Sequence, residues 1–272
     1  MTAAAIRVGT GGWTYGPWRD NFFPKGLPHH AELEYASRRL TAIEINATYY
    51  RLQKPESFAK WRDATPEHFV FSVKASQYST NRKVLAEGGE PIGRFLGSGL
   101  AELGDKLGPV VWQFATTKVF DPVDFGAFLG LLPARLGTRK LRHAVEVRHP
   151  SFMTPEFIAL ARKHRVAIVF ADSDAYPSFA DATADFVYAR LMKTEPQHPS
   201  GYAPERIAFW ADCARRWASG GEPQGLPRVE ATPPAAGSGP RDVFLFFISG
   251  AKERAPAAAM ATLDRLGLAP AP

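Results

Sequence analysis

The stretch TAIEINATYY (Thr41 to Tyr50) sets Ile43 and Ile45 against Glu44 and Asn46. Strict alternation of this kind is the mark of a β-strand with two unlike faces. It returns a hundred residues on in HAVEVRHP (His143 to Pro150), where Val145 and Val147 alternate with Glu146 and Arg148. A third strand, FVFSVKAS, carries Lys74 near its end, and a fourth, VVWQF, carries Gln113. On a solvated sheet edge a polar face needs no explanation. Its repetition along the chain calls for an architectural one.

Eight strand-like runs are legible: Ile6–Gly12, Thr41–Asn46, His68–Ala75, Pro109–Phe114, Ala144–His149, Val166–Asp174, Asp185–Leu191 and Asp242–Ser249. Helical segments fall between them, at about Ala31–Leu40, Pro55–Ala64, Arg94–Asp105, Asp121–Leu132, Thr154–His164, Pro204–Ala218 and Pro256–Leu266. Pro55 suits a first helical turn, and Asp121 followed by Pro122 and Asp124 is a strong helix start. Only the connection from the sixth strand to the seventh is short and weak in helix signals. Strand–helix alternation predicts a parallel sheet covered by helices. Eight such units in this length predict a single TIM (β/α)8 barrel over residues 1–272, its sixth helix missing or irregular. A doubly wound open sheet is the second choice. The glycines Gly9, Gly11 and Gly12 are followed by Trp13, Thr14 and Tyr15, which breaks the dinucleotide-binding spacing, so no Rossmann site is read there.

A barrel accounts for the alternation. One face of each strand meets the outer helices and must be apolar; the other points into the barrel. Glu44, Asn46, Glu146 and Arg148 then point inward. Buried charges are costly unless they pair or reach water, and near the C-terminal mouth they can do both. The topology sends the segments that follow strands to that mouth, and their aromatics and Lys/Arg residues suit a small-molecule pocket. Residues 219–241, rich in Pro and Gly, join a helix to a strand and so read as a flexible loop at the opposite face.

Composition narrows the classes. The single cysteine, Cys213, excludes an intramolecular disulfide and a cysteine-based zinc site. No apolar run spans a membrane and the N-terminus lacks signal-peptide features, so a reducing cytoplasm is the expected compartment. The net charge of +6 favours a small anionic ligand, phosphorylated or not, and admits nucleic acid as an alternative. No membrane partner is expected and no oligomer is inferred. No P-loop, G-x-S-x-G motif or Ser-His-Asp order is present, so nucleotide hydrolysis and serine acyl transfer have no support.

The motifs GTGGWTYGPWRDNFFP, EINATYYRLQ with FAKW, VFSVKAS, GPVVWQF, AVEVRHPSF and FVYARL, in this order, resemble the YecE-like family, the domain of unknown function seventy-two. The resemblance covers nearly the whole chain and implies a TIM barrel without an assigned reaction. Two places depart from the commoner family pattern. Met192-Lys193 stands where many members carry His-Gly, and Ile248-Ser249 where many carry two asparagines.

Glu44 and Glu146 are the expected acid/base pair, with Asp172 at the end of the sixth strand as a third carboxylate. An ion-pair network with Arg148 is the alternative reading. Asn46, Lys74, Gln113, Arg148, His149 and Arg190 are expected to bind substrate, Trp13 and Tyr15 to stack on it, and Gly250 with Lys252 to cradle an anion where barrels often hold phosphate. His149 reads more readily as a turn residue before Pro150. No cofactor is identified; Glu146, Asp172 and Asp174 have the oxygen chemistry for Mg²⁺ or Mn²⁺, but a metal is not expected. The function expected is an isomerase, lyase or hydrolase of a polar anionic substrate. A metal-assisted phosphodiesterase and a non-catalytic binding barrel are its rivals. Trp210, Cys213, Ala214 and Trp217 have helical spacing and are assigned to the core.

Overall fold

The computed structural model describes residues 4–230 and 239–270. Eight parallel strands close into a barrel: β1 Ile6–Gly11, β2 Ala42–Ile45, β3 Val70–Lys74, β4 Leu107–Gln113, β5 His143–Glu146, β6 Ala167–Asp172, β7 Phe186–Leu191 and β8 Asp242–Phe247. Each strand pairs with its neighbours in sequence, and β8 returns to β1. This is the TIM barrel that the strand–helix alternation predicts.

The outer helices are α1 Glu32–Ser37, α2 Pro55–Asp63, α3 Gly89–Leu96, α4 Pro122–Leu131, α5 Pro155–Lys163, α6 Pro204–Ala218 and α7 Ala255–Leu266. Asp121 caps α4 by accepting from the backbone N–H groups of Val123 and Asp124, and Thr154 caps α5 through Phe157. Residues 173–185, between β6 and β7, form no helix, as the weak signals there predict. The helix read at Arg94–Asp105 is displaced. Helix α3 starts at Gly89 and ends before Gly97-Ser98-Gly99, where Gly99 takes φ 121°, and Leu100–Lys106 continues as a 3-10 turn. A small hairpin, Arg135–Leu136 with Arg139–Lys140, was not legible in the pattern.

The two faces of the strands separate two cores. Outward Ile43, Ile45, Val145 and Val147 join the layer beneath the helices, where Trp210, Cys213, Ala214 and Trp217 of α6 are also buried. The barrel interior is a smaller cluster. Large rings from β7 and β8 (Phe186, Tyr188, Phe244, Phe246) face alanines on β2, β5 and β6 (Ala42, Ala144, Ala167), which leave them room. An eight-stranded barrel is just wide enough to be filled in this way. At Gly9 a Cβ atom would lie 1.7 Å from the Ala42 carbonyl oxygen, so glycine is what lets β1 close on β2.

These rings separate two sets of inward polar groups. Arg142 and Asp242 pair at the bottom end, with Arg142 over the Phe244 ring, and Glu44, Lys74, Glu146 and Arg190 lie in the layer toward the mouth. Residues 220–230, the described part of the Pro/Gly-rich segment before β8, are fastened rather than loose. Asp181 accepts from the N–H groups of Val229 and Glu230, and Glu222 pairs with Arg228 and Arg241. Residues 231–238 of that segment lie outside the described residues. Among the described residues no helix is long and apolar enough to cross a membrane.

Candidate functional site

Strands β2, β5 and β7 each place a charged side chain at the same height inside the barrel. Arg190 reaches across from β7. Its Nη2 donates to Glu44 Oε1 at 3.0 Å, and its Nη1 donates to Glu146 Oε2. The Tyr188 hydroxyl, one inward position below Arg190, donates to Glu44 Oε2 at 2.7 Å and is itself bonded to Ser72 at 2.7 Å. Glu146 Oε1 accepts from Arg148 Nε at 2.8 Å and Nη2 at 2.7 Å, while Gln113 donates to Oε2 at 2.9 Å. Glu44, Glu146 and Arg190 are 0%, 1% and 3% exposed, so this array is sealed from water.

Sealing shapes the acid–base behaviour. Burial alone pushes the Glu146 carboxyl up, but Arg190 and Arg148, with the Gln113 hydrogen bond, outweigh it and hold the group down at about 2. Burial likewise opposes the charge on Arg190, yet Glu146 and Glu44 keep it above the usual arginine value. Burial, then the Glu44 charge, raises the Tyr188 phenol well above its normal range. All four carboxylate oxygens of Glu44 and Glu146 already accept from side chains of the array.

Lys74 differs from the other ions of this layer. It is buried, its Nζ lies 4.1 Å above the centre of the Tyr49 ring, and it makes no ion pair among the described residues. The residue is 7% exposed, so unlike Glu44 and Glu146 it is not wholly sealed from solvent. Burial and the nearby Arg190 charge lower its pKa to about 8, against the opposing pull of Glu44 and Glu146. The layer thus holds Glu44 and Glu146 against Arg148, Arg190 and Lys74, an excess of one positive charge when Lys74 is protonated. Arg148 closes one side of the mouth, its guanidinium stacked 4.2 Å from the Tyr176 ring centre. Asn46 sits at the rim beside Gly11, its amide 3.4 Å from the Glu44 carbonyl.

Several expected members lie elsewhere. Asp172 shares the outward parity of Ile168 and Phe170 and pairs in register with Leu191, not with inward Arg190. Its carboxylate faces Tyr202 at 3.5 Å, Arg206 of α6 at 3.5 Å and Lys193 at 3.8 Å. It therefore cannot join Glu146, and among the described residues no three His, Cys, Asp or Glu side chains gather to hold a metal. His149 is spent on the following turn, where its Nδ1 is bonded to Ser151 Oγ at 2.8 Å and accepts from the Ser151 N–H.

The anion cradle at Gly250 is likewise closed. A Cβ there would lie 2.4 Å from the Thr194 carbonyl oxygen, and the Ala251 N–H already donates to that oxygen at 2.7 Å. Lys252 lies over the Tyr15 ring at 4.6 Å, and Trp13 packs edge-on against Trp61 and Phe71 in the outer layer. The loop after β1 thus packs against α2, β3 and the loop after β8. The sequence pattern places Tyr188 inward with Arg190 without giving it a role, and Ser72, Tyr49 and Tyr176 are absent from the expected site. Alternation with Lys74 identifies Ser72. Tyr49 and Tyr176 sit on loops that no periodicity describes.

A cleft of about 850 Å³ opens at the other end of the barrel, lined by Arg135, Lys140, Arg142, Arg162 and Arg165 among others. Three of these cations are already paired: Arg142 with Asp242, Lys140 with Asp185 and Arg162 with Glu230. The cleft is bordered by Gly239, next to the undescribed 231–238. Arg135 and Arg165 of the cleft are exposed; the mouth, where the unpaired cation Lys74 is buried against an aromatic ring, is the better candidate.

Comparison with known proteins agrees with this architecture. The family described as "Protein of unknown function DUF72" matches residues 7–272. The UPF0759 protein YecE of Escherichia coli K12 is 28% identical over 147 residues, 54% of this chain and 50% of that protein. The chain thus spans about half the length of this curated relative. A DUF72 family protein from Enterococcus faecalis V583 superposes with a TM-score of 0.70 at 17% identity, covering 98% of each chain. One from Thermotoga maritima MSB8 gives 0.69 at 19% identity, covering 96% of this chain and 98% of the other. At these identities the superpositions speak for the fold alone.

Proposed function

The chain belongs to the DUF72 family, and we propose that its barrel mouth takes a small polar anion, with Lys74 and Arg148 meeting the negative charge. One observation carries this reading: Lys74 is the cation of the layer that forms no ion pair with a carboxylate among the described residues. A negative ligand would supply the missing partner and would displace little water from a site already walled by side chains. Glu44, Glu146 and Arg190 then serve as the rigid support that orients the mouth, since their hydrogen-bonding groups are largely spent on one another.

The acid/base work expected of the two glutamates passes to Lys74. A group with a pKa of about 8 is matched to proton transfer near neutral pH, whereas a carboxyl held at about 2 is a poor base. The reaction class that fits is an isomerase or lyase of an anionic metabolite. Hydrolysis with Glu146 as general base has less support, because its carboxylate is fully engaged.

Calorimetric titration of the full chain with a panel of small carboxylates and organic phosphates is the test. Lys74→Met should abolish binding of any hit or weaken it by at least about tenfold, the effect of losing a charge-assisted contact of roughly 1.5–3 kcal/mol. A panel without a single binder, or a hit held equally by Lys74→Met, would remove the reading.

A further inference from the structure

The mouth has a feature that anion binding alone does not require. Its two guanidinium groups are each fixed by carboxylates: Arg190 by Glu44 and Glu146, and Arg148 by Glu146. Arginine does not give up its proton in proteins. The third cation is an amine, and it stands at the end of β3 against an aromatic face, 7% exposed and without an ion pair among the described residues. An amine beside fixed positive charge and partly stripped of water is the arrangement that makes lysine a nucleophile. The charged groups that act on it are Glu44 of β2, Glu146 of β5 with Arg148 just beyond its end, and Arg190 of β7, and the aromatic face is Tyr49 of the turn after β2. None of these is placed to hold the ammonium as a permanent ion pair.

From this geometry we propose that Lys74 bonds covalently to its substrate, forming an imine with the carbonyl carbon of a small anionic aldehyde or ketone. The proposal rests on the reading of the mouth as an anion site and adds to it the class of compound. In the step, the ammonium first releases a proton to the carbonyl oxygen as the nitrogen lone pair forms the new C–N bond. The resulting carbinolamine then loses its hydroxyl as water, taking up a second proton from the nitrogen, and the C=N bond forms with a further proton retained as the iminium. Ammonium and carbonyl compound give iminium and water, so atoms and charge balance without a co-reactant. The iminium keeps the positive charge that Lys74 carried, so the electrostatic balance with Glu44 and Glu146 is preserved.

Glyoxylate, an aldehyde with a carboxylate, is the probe, used with sodium cyanoborohydride as trapping reductant on the full chain near neutral pH. Peptide mass mapping should place one carboxymethyl group on Lys74. That adduct should form at least about tenfold faster than at any other lysine, because a lowered pKa leaves far more neutral amine near pH 7.5. Propionaldehyde, which lacks the carboxylate, should label Lys74 more slowly than glyoxylate, and Arg148→Met should narrow that difference. Thermal-shift measurements with glycolate, an anion without a carbonyl, report the binding site separately. Stabilisation by glycolate that is lost in Lys74→Met, without any preferential adduct, overturns the imine and leaves the anion site standing. Labelling spread evenly over the lysines also overturns it. Neither stabilisation nor adduct overturns both.

Discussion

Arg190 and Glu44 are 146 residues apart in sequence and meet at 3.0 Å inside the barrel. The same guanidinium holds Glu146 with its other terminal nitrogen, so one residue of β7 ties β2 to β5 across the interior. Removing one partner of a buried array leaves the other charges uncompensated, which costs about 3–5 kcal/mol. Arg190→Met is therefore expected to lower the free energy of unfolding by that amount, measured by urea titration. Arg190→Lys should recover only part of it, because an ammonium cannot present two parallel donors to two carboxylates. Stability of Arg190→Met near wild type would show that the array contributes little.

The two glutamates should respond unequally. Glu146 accepts from Arg190, Arg148 and Gln113, whereas Glu44 accepts from Arg190 and Tyr188. Glu146→Gln is thus expected to be the less stable of the two variants. It should also change the acid response. The folded pKa of Glu146, about 2, lies below its ordinary value of 4.5. Its contribution is present above about pH 4.5 and is lost as the pH falls through about 2, a difference of about 3 kcal/mol. Unfolding free energies of wild type and Glu146→Gln between these pH values give the slope. Equal slopes, or a greater loss for Glu44→Gln, would contradict this assignment.

Lys74 has the opposite sign. Its folded pKa of about 8 lies below the ordinary 10.5, so the unfolded chain holds the proton more tightly. The penalty for burying the ammonium is full below about pH 8 and fades as the pH rises toward 10.5, amounting to about 3 kcal/mol at most. Lys74→Met, which keeps the aliphatic stem over Tyr49, should be more stable than wild type at pH 7, with a gap that closes in alkali. Chemical denaturation at both pH values checks it, and a destabilised Lys74→Met at pH 7 would mean that Lys74 supports the fold rather than the site. Stability gained by removing a functional group is the usual signature of a site maintained at a cost.

Asp172 offers a control. Burial raises its pKa, and Arg206 and Lys193 only partly oppose this. It lies on the outer side of β6, away from the Glu44–Arg190–Glu146 layer. Asp172→Asn is expected to leave glyoxylate labelling of Lys74 unchanged, as followed by mass spectrometry. A marked drop in labelling would return Asp172 to the functional site.

The barrel and its charged layer were legible in sequence because both depend on period-two alternation, which is local. Ile43 and Ile45 against Glu44 fix the side each residue takes once β2 is part of a barrel, and the same logic places Glu146, Arg148, Lys74 and Arg190. Alternation holds even at a strand end: Asp172 shares the parity of Ile168 and Phe170, which face the helices, and reading it as a third carboxylate of the site put its charge ahead of its parity. Alternation says nothing about distance. Which carboxylate oxygen Arg190 takes, and that Lys74 is the cation left without one, depends on how β2, β3, β5 and β7 are staggered around a closed barrel. Loop contacts lay beyond reach for the same reason. The turn after β8 looks like an anion cradle in one dimension, but Thr194, brought alongside by strand pairing, occupies the space at Gly250 and the Ala251 N–H. Local patterning determined the elements and their faces; closure of the barrel decided which polar groups neutralise one another, because that balance is set by separations between residues far apart in the chain.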